Sequence, residues 1–198
     1  MKKIAVFASG SGSDFQSVID ANERDPFCEI ALLVASKEGI GALGRAARHN
    51  IPAAVCRARD YADPERFGEE LIALLRAHGV DYVVLAGYLS MLPENLIRAF
   101  PDRIVNIHPS LIPSFCGAGY YGLRVHEAAL SRGVKVTGAT VHFVNEIPDG
   151  GEIIAQRAVE VLPGDTPEVL QRRVMEQAEW IILPAAAEAV AERLEGRE

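Results

Sequence analysis

Apolar residues fall along this chain in short runs that alternate with stretches of helical spacing. Residues 3–8 form a continuous apolar run closed by glycines, the pattern of a strand buried on both faces. From 14 to 22 the period lengthens: Phe15, Val18 and Ile19 share one helical face, and Ser13 or Asp14 stands where a first turn needs a cap. Residues 29–35 read as a second strand, 40–49 as a helix with Leu43, Ala46 and Ala47 inward, and 53–56 as a short third strand. Asp63-Pro64-Glu65 opens an amphipathic helix through His78, with proline at the first helical position and Gly79 after the end. Its inner stripe is Phe67, Leu71, Leu74 and Leu75. The most hydrophobic strand covers 81–86 and is broken by Gly87. A short helix at 93–99 and a β-branched strand at 104–108 complete the series.

This βαβα rhythm predicts an α/β fold, a Rossmann-like, mainly parallel sheet flanked by helices. After His108 the rhythm changes. Residues 114–122 are a loop rich in glycine and aromatics, and 123–131 read as a helix. The strand-like runs 136–144 and 153–161 predict an antiparallel addition in the C-terminal half. A last helix starts at Gly164-Asp165-Thr166-Pro167, capped by Asp165 or Thr166, and is expected to break or kink at Pro184. A second helical piece then runs to about Leu194, and 195–198 are expected to fray. With no repeat or linker, the 198 residues read as a single domain, 1–100 and 101–198 forming its two halves.

Composition narrows the function. The net charge of −7 argues against a nucleic-acid-binding surface. It leaves room for a small anion held by a local loop. No stretch is long enough to span a bilayer, and Ser9-Gly10-Ser11-Gly12-Ser13 interrupts the apolar N-terminus too early for a signal peptide. The three cysteines, widely spaced and without C-x-x-C, point to reduced thiols and a cytoplasmic protein.

Three constellations could carry chemistry. In Ile104-Val105-Asn106-Ile107-His108-Pro109-Ser110-Leu111-Ile112-Pro113, Asn106 and His108 are two apart on a strand, so amide and imidazole emerge on one face where the strand ends. Ligands of open α/β sheets gather at such ends. Asp149, much further along the chain, could join the pair, orienting the imidazole while it and the amide stabilise an oxyanion. Taken alone, Asp149 in Pro-Asp-Gly-Gly reads as a turn residue. The second constellation, Ala8-Ser9-Gly10-Ser11-Gly12-Ser13-Asp14, could offer backbone N–H groups to a phosphate at a helix N-terminus. It reads equally as an ordinary tight turn. It is no dinucleotide fingerprint, since Phe15 stands where the third glycine belongs, and no Gly-Lys-Ser/Thr follows. The third, Leu85-Ala86-Gly87-Tyr88-Leu89-Ser90-Met91-Leu92, could line a site for a flat aromatic ligand. By itself it reads as core packing. His49, His78, His126 and His142 show no metal-ligand spacing and read as structural or surface residues, and Trp180 as packing.

Together these residues resemble the phosphoribosylglycinamide formyltransferases, folate-dependent enzymes of purine synthesis. The resemblance extends from Val6 to about Pro184. Asn106-Ile107-His108-Pro109-Ser110-Leu111-Ile112-Pro113 carries it most strongly and marks folate formyltransferases generally. The Ser9–Ser13 loop narrows it to glycinamide ribonucleotide, and Val141-His142-Phe143-Val144 followed by Asp149-Gly150 is the third match. The resemblance implies 10-formyltetrahydrofolate as formyl donor, glycinamide ribonucleotide as acceptor, and no metal. Catalysis would fall to Asn106, His108 and Asp149. Ser11, Gly12, Ser13 and Asp14 would hold the phosphate, with Gly87 also on the substrate side and Glu179 on the ribose hydroxyls. The pterin would lie among Leu85, Tyr88, Leu89, Ser90, Met91, Leu92 and Val144. The Ile112–Pro113 bond is expected to be cis. Partners would be small molecules only, with neither nucleic acid nor membrane, and a homodimer is compatible with the pattern.

Several positions depart from that pattern. Asp14 replaces the usual Asn, and a carboxylate near phosphate must point away or cap the helix. Ser90 stands where a basic residue is common. Glu152 replaces a proline, and Trp180 and Leu183 replace a His and a Tyr. The loop Cys116–Gly122 is longer than usual. Rival activities are hydrolysis of formyltetrahydrofolate, whose known enzymes carry an N-terminal regulatory domain, and formylation of methionyl-tRNA, whose enzymes carry a C-terminal tRNA-binding domain. A nucleotide-binding oxidoreductase lacks its glycine and acidic residue here, and a non-catalytic binding module would not need the Asn-His-Asp set.

Overall fold

The computed structural model describes residues 1–196. One seven-stranded sheet runs through the chain, in the order β3-β2-β1-β4-β5-β6-β7. Its strands are β1 (Lys2–Ala8), β2 (Cys28–Ala35), β3 (Ala53–Val55), β4 (Tyr82–Leu85), β5 (Ile104–His108), β6 (Val136–Phe143) and β7 (Ile153–Glu160). β1 to β5 pair in parallel, and β6 and β7 add antiparallel. The expected mainly parallel sheet with an antiparallel C-terminal addition is thus present.

Helices cover both faces: α1 (Ser13–Arg24), α2 (Gly41–Arg48), α3 (Pro64–Ala77), α4 (Glu94–Ala99), α5 (Leu123–Arg132), α6 (Pro167–Val174) and α7 (Trp180–Glu195). The central strands β1, β4 and β5 have two buried faces, so their alternate residues enter two cores. Ile4, Val6, Tyr82, Val84, Val105 and Ile107 pack with α1 and α7 residues such as Phe15 and Leu183. Phe7, Val83, Leu85 and Ile104 pack with Phe67, Leu71 and Leu75 of α3. Asn106 and His108 share the parity of Ile104, which turns them away from Val105 and Ile107.

Two helix starts carry side-chain caps of the kind their sequences suggest. Asp63 caps α3 by accepting from Arg66 N, with Pro64 next, and Thr166 caps α6 by accepting from Val169 N. α1 is different: Gly12 in the left-handed region precedes it, and neither Ser13 nor Asp14 caps it with a side chain. The break expected at Pro184 also lies elsewhere. A π-helical turn, Met175–Glu179, separates α6 from α7, and Pro184 sits inside α7, buried. The carbonyl that a proline ring crowds belongs to the residue four earlier. Here that is Trp180, whose ψ of −6° tilts the carbonyl off the helix axis directly after the π turn. Of the residues expected to fray, 197 and 198 lie outside the described residues.

Sheet order reverses between β1 and β4, which are neighbours in space but not in sequence. The loops after these two strands therefore meet at a topological switch point, where α/β sheets bind ligands. Ser9 N donates to Gly87 O at 3.1 Å, and Ser9 Oγ accepts from Leu89 N at 2.9 Å.

Candidate active site

The loop after β1 is shaped by close backbone approach. Gly12 has φ +75°, and a Cβ there would lie 2.8 Å from Ala42 Cα, so only glycine fits between α1 and α2. α2 fastens the loop from outside: Ala42 N donates to Gly10 O and Arg45 Nε to Ser11 O at 2.9 Å. The N–H groups of Ser11, Gly12, Ser13 and Asp14 donate to no protein acceptor among the described residues. Four free donors at a helix N-terminus form a cradle for an anion. Asp14 does not face that cradle as a cap. Its carboxyl is buried against Glu179 of the π turn, beside Trp180, and Asp14 Oδ2 lies 3.8 Å from where a Cβ on Gly87 would stand. Burial pushes the Asp14 carboxyl up to about 6, and raises Glu179 as well, with the neighbouring Asp14 adding to it.

At the end of β5 the distant carboxylate does meet the imidazole. Asp149 Oδ2 lies 3.7 Å from His108 Nδ1, and Asp149 Oδ1 lies 3.6 Å from His142 Nε2. Asn106 Nδ2 is 3.1 Å from His142 Nε2. His142 therefore completes a cluster of four, although its isolated position in the sequence reads as structural. The signal that finds it is the antiparallel register, which sets His142 of β6 opposite Asn106 of β5. Phe143 O lies 2.8 Å from His142 Nδ1. That carbonyl can only accept, so Nδ1 carries a hydrogen, and Nε2 lies between the Asn106 amide and the Asp149 carboxylate.

Two loops aim these groups. Asp149 is the third residue of a turn closed by Gly150 N donating to Ile147 O. Its φ is +53°. Asp tolerates such a value better than most residues. The loop before α5 supplies both remaining ties. Gly117 N donates to Asp149 Oδ2 at 2.7 Å, and His108 Nε2 donates to Phe115 O at 2.8 Å. The stretch 115–117, where the longer segment begins, thus clasps the histidine and the carboxylate together. The Ile112–Pro113 bond is cis, and Thr140 Oγ1 fixes this stretch by donating to Ser110 O and accepting from Ile112 N. Burial pushes the Asp149 carboxyl up, but the His142 ring, the Gly117 N–H and the charge of His108 outweigh it and hold it below the usual carboxylate range.

The stretch after β4 divides. Leu85, Tyr88, Leu92 and Val144 belong to the α3-side core, Tyr88 edge-on to Phe7 at 5.3 Å. Leu89 and Met91 project outward, 62% and 74% exposed, and Ser90 lies between them, half-buried. Gly87, with φ +70°, turns the chain from one group to the other.

An anion cradle after β1 and an amide–imidazole–carboxylate cluster at the end of β5, on one sheet, define an α/β enzyme. The sequence matches the formyl transferase family over residues 2–186, and the chain belongs to that family. It is 41% identical, over its full length, to the chloroplastic phosphoribosylglycinamide formyltransferase of Arabidopsis thaliana, of which it spans 68%. It is 39% identical to the phosphoribosylglycinamide formyltransferase of Bacillus subtilis over 88% of this chain and 87% of that one. Of some longer relatives it spans far less, 18% in one case. Its structure superposes on glycinamide ribonucleotide transformylase 1 from Symbiobacterium toebii with a TM-score of 0.91 and 40% identity, over 97% of this chain and 88% of the other.

Proposed function

We infer that this chain transfers the formyl group of 10-formyltetrahydrofolate to the primary amine of glycinamide ribonucleotide, giving formylglycinamide ribonucleotide in purine biosynthesis. The observation that carries the reading is the convergence of Asp149 on His108 beside Asn106, at strand ends of the same sheet that carries the anion cradle. The substrate phosphate sits on the N–H groups of Ser11, Gly12, Ser13 and Asp14, and Gly87 leaves room for the chain of the substrate to pass. Glu179 accepts from the ribose hydroxyls. The pterin packs at Leu89, Ser90 and Met91, over the core formed by Leu85, Tyr88, Leu92 and Val144. Residues 1–100 thus serve the phosphate and 101–198 the chemistry, within a single domain. Its partners are these two small molecules, and a second copy of the chain is compatible with the fold. The three unpaired cysteines support a cytoplasmic setting.

The amine nitrogen attacks the formyl carbon, and the carbonyl oxygen becomes an oxyanion. His108 and the Asn106 amide stabilise that charge, while Asp149 keeps the ring oriented. The carbon–nitrogen bond to the folate then breaks, and the proton lost by the amine passes to the folate nitrogen. His108 Nε2–H is held by Phe115 O, so donation to the oxyanion requires that loop carbonyl to give way to substrate.

The test is formyl transfer to glycinamide ribonucleotide, with water alone as control acceptor. Formylated ribonucleotide formed in step with folate release supports the reading. Formate release independent of the amine replaces it with hydrolysis.

A further inference from the structure

Asp14 and Glu179 are both more than nine-tenths buried, at 8% and 6% exposure, and their carboxyls are neighbours. They lie at the N-terminal end of α1, where Asp14 also contributes one of the four free N–H groups of the cradle. Asp14 Oδ1 and the Trp180 indole N–H are buried without a hydrogen-bond partner. Two positions that depart from the family pattern, Asp14 and Trp180, thus meet in space around Glu179.

The charged and polar groups around the pair come from four elements. On the Trp180 side α1 contributes Ser13, Gln16, Asp20 and Arg24, and the π turn with α7 contributes Glu179 and Trp180. The loop after β4 brings the Gly87 backbone close to Asp14. α2 brings Arg45, whose guanidinium is engaged by Ser11 O and Gln16 Oε1. Among the described residues no lysine, arginine or histidine pairs with either carboxyl. Two carboxyls in contact, desolvated and without a cation, cannot both ionise near neutrality. A pair with one proton presents an O–H donor next to bare acceptor oxygens, and sugar hydroxyls both donate and accept.

We propose that Asp14 and Glu179 act as one acid pair holding a single shared proton at the sugar-phosphate end of the site, and that binding of the ribonucleotide requires this proton. The proposal rests on the substrate inferred above. When the last proton leaves, two buried anions stand at the mouth of a cradle built for a phosphate, and binding weakens. Burial and mutual repulsion open this single-proton window near pH 6, where Asp14 ionises, and Glu179 closes it at higher pH.

Trp180 is the one tryptophan of the chain and lies beside Asp14, so its fluorescence reports the pair without substrate. Between pH 5 and 10 the wild-type emission should change in two separated steps, and in Asp14→Asn in one. A single wild-type step, or none, overturns the shared proton whatever the enzyme's substrate. In steady-state kinetics the wild-type KM for glycinamide ribonucleotide should rise above the upper step by about threefold or more per pH unit. Asp14→Asn should move that rise to lower pH, because Glu179 no longer feels a neighbouring charge, and Glu179→Gln should remove it. The phosphate itself ionises near pH 6 equally for all three proteins, so only the differences count. Identical KM profiles in wild type and Asp14→Asn overturn the proposal. If Asp14→Asn does not fold, the wild-type fluorescence and the Glu179→Gln profile decide. A wild type that folds and titrates in two steps but never formylates glycinamide ribonucleotide overturns the substrate and not the pair.

Discussion

The two ends of the site are built by opposite means. After β1 the ligand-facing groups are backbone N–H donors, and the side chains of the loop matter through what they leave room for. After β5 the ligand-facing groups are side chains, and the backbone matters through how it aims them. A backbone cradle tolerates side-chain replacement, which is why Asp14 can turn away to Glu179 without removing a donor. It does not tolerate an added Cβ at Gly12. The side-chain cluster inverts this: its loops can vary in length, as the Cys116–Gly122 segment does, so long as Phe115 O and Gly117 N still reach His108 and Asp149. Buried carboxylates also differ between the ends. Asp149 is held low by a histidine pair and an N–H, while Asp14 is pushed up because only another carboxyl and an indole face it.

The sharpest way to break this comparison is at His108. His108→Ala should leave the fold intact by circular dichroism and reduce turnover about a hundredfold or more, the scale of an oxyanion donor. Wild-type turnover in that variant would place the chemistry elsewhere. Gly12→Ala should act through structure instead, because its Cβ meets Ala42 and its φ is positive. Stability in denaturant should fall by about 2 kcal/mol and the ribonucleotide KM should rise, with the formyl-transfer step itself nearly unchanged.

The two carboxylates predict opposite pH dependences of stability. Asp149 has a depressed folded value, so its contribution is complete above the unfolded value of 3.8 and is lost as pH falls through the folded one. Asp149→Asn should flatten the acid limb of a stability–pH curve. Asp14 has a raised folded value, so its ionisation costs nothing below 3.8, costs progressively more as pH rises to about 6, and is constant beyond. Asp14→Asn should therefore gain on wild type across that window, by on the order of 1–3 kcal/mol at pH 7. Parallel curves for the two variants would remove the distinction between the ends. The smallest effect is expected at Met91, whose side chain projects into solvent. Met91→Ala should change stability by less than about 0.5 kcal/mol while raising the folate KM severalfold.

Much of this was legible before any coordinates. The short apolar runs and amphipathic stretches give the strands and helices in order, because burial on one or two faces imposes a period on local sequence. Asn106 and His108 announce themselves as a pair because two-residue spacing is a local property of a strand. The glycines of the Ser9–Ser13 loop are equally local, and so is the cap at Asp63. What failed locally failed for an identifiable reason. The break expected at Pro184 moved to the Met175–Glu179 turn because a proline's cost depends on the carbonyl four residues earlier, which the π turn had already displaced.

What the sequence determined by itself was therefore the layering of the sheet, the strand-end amide and imidazole, and a loop able to expose backbone donors, all set by periodicity and by residues a few positions apart. Only the tertiary structure decided that Asp149 reaches His108 and that His142 lies opposite Asn106. It also decided that Asp14 faces Glu179 rather than capping α1. Each of these joins residues far apart in the chain, and such contacts follow from strand register and helix packing, which the local pattern of polar and apolar side chains does not encode.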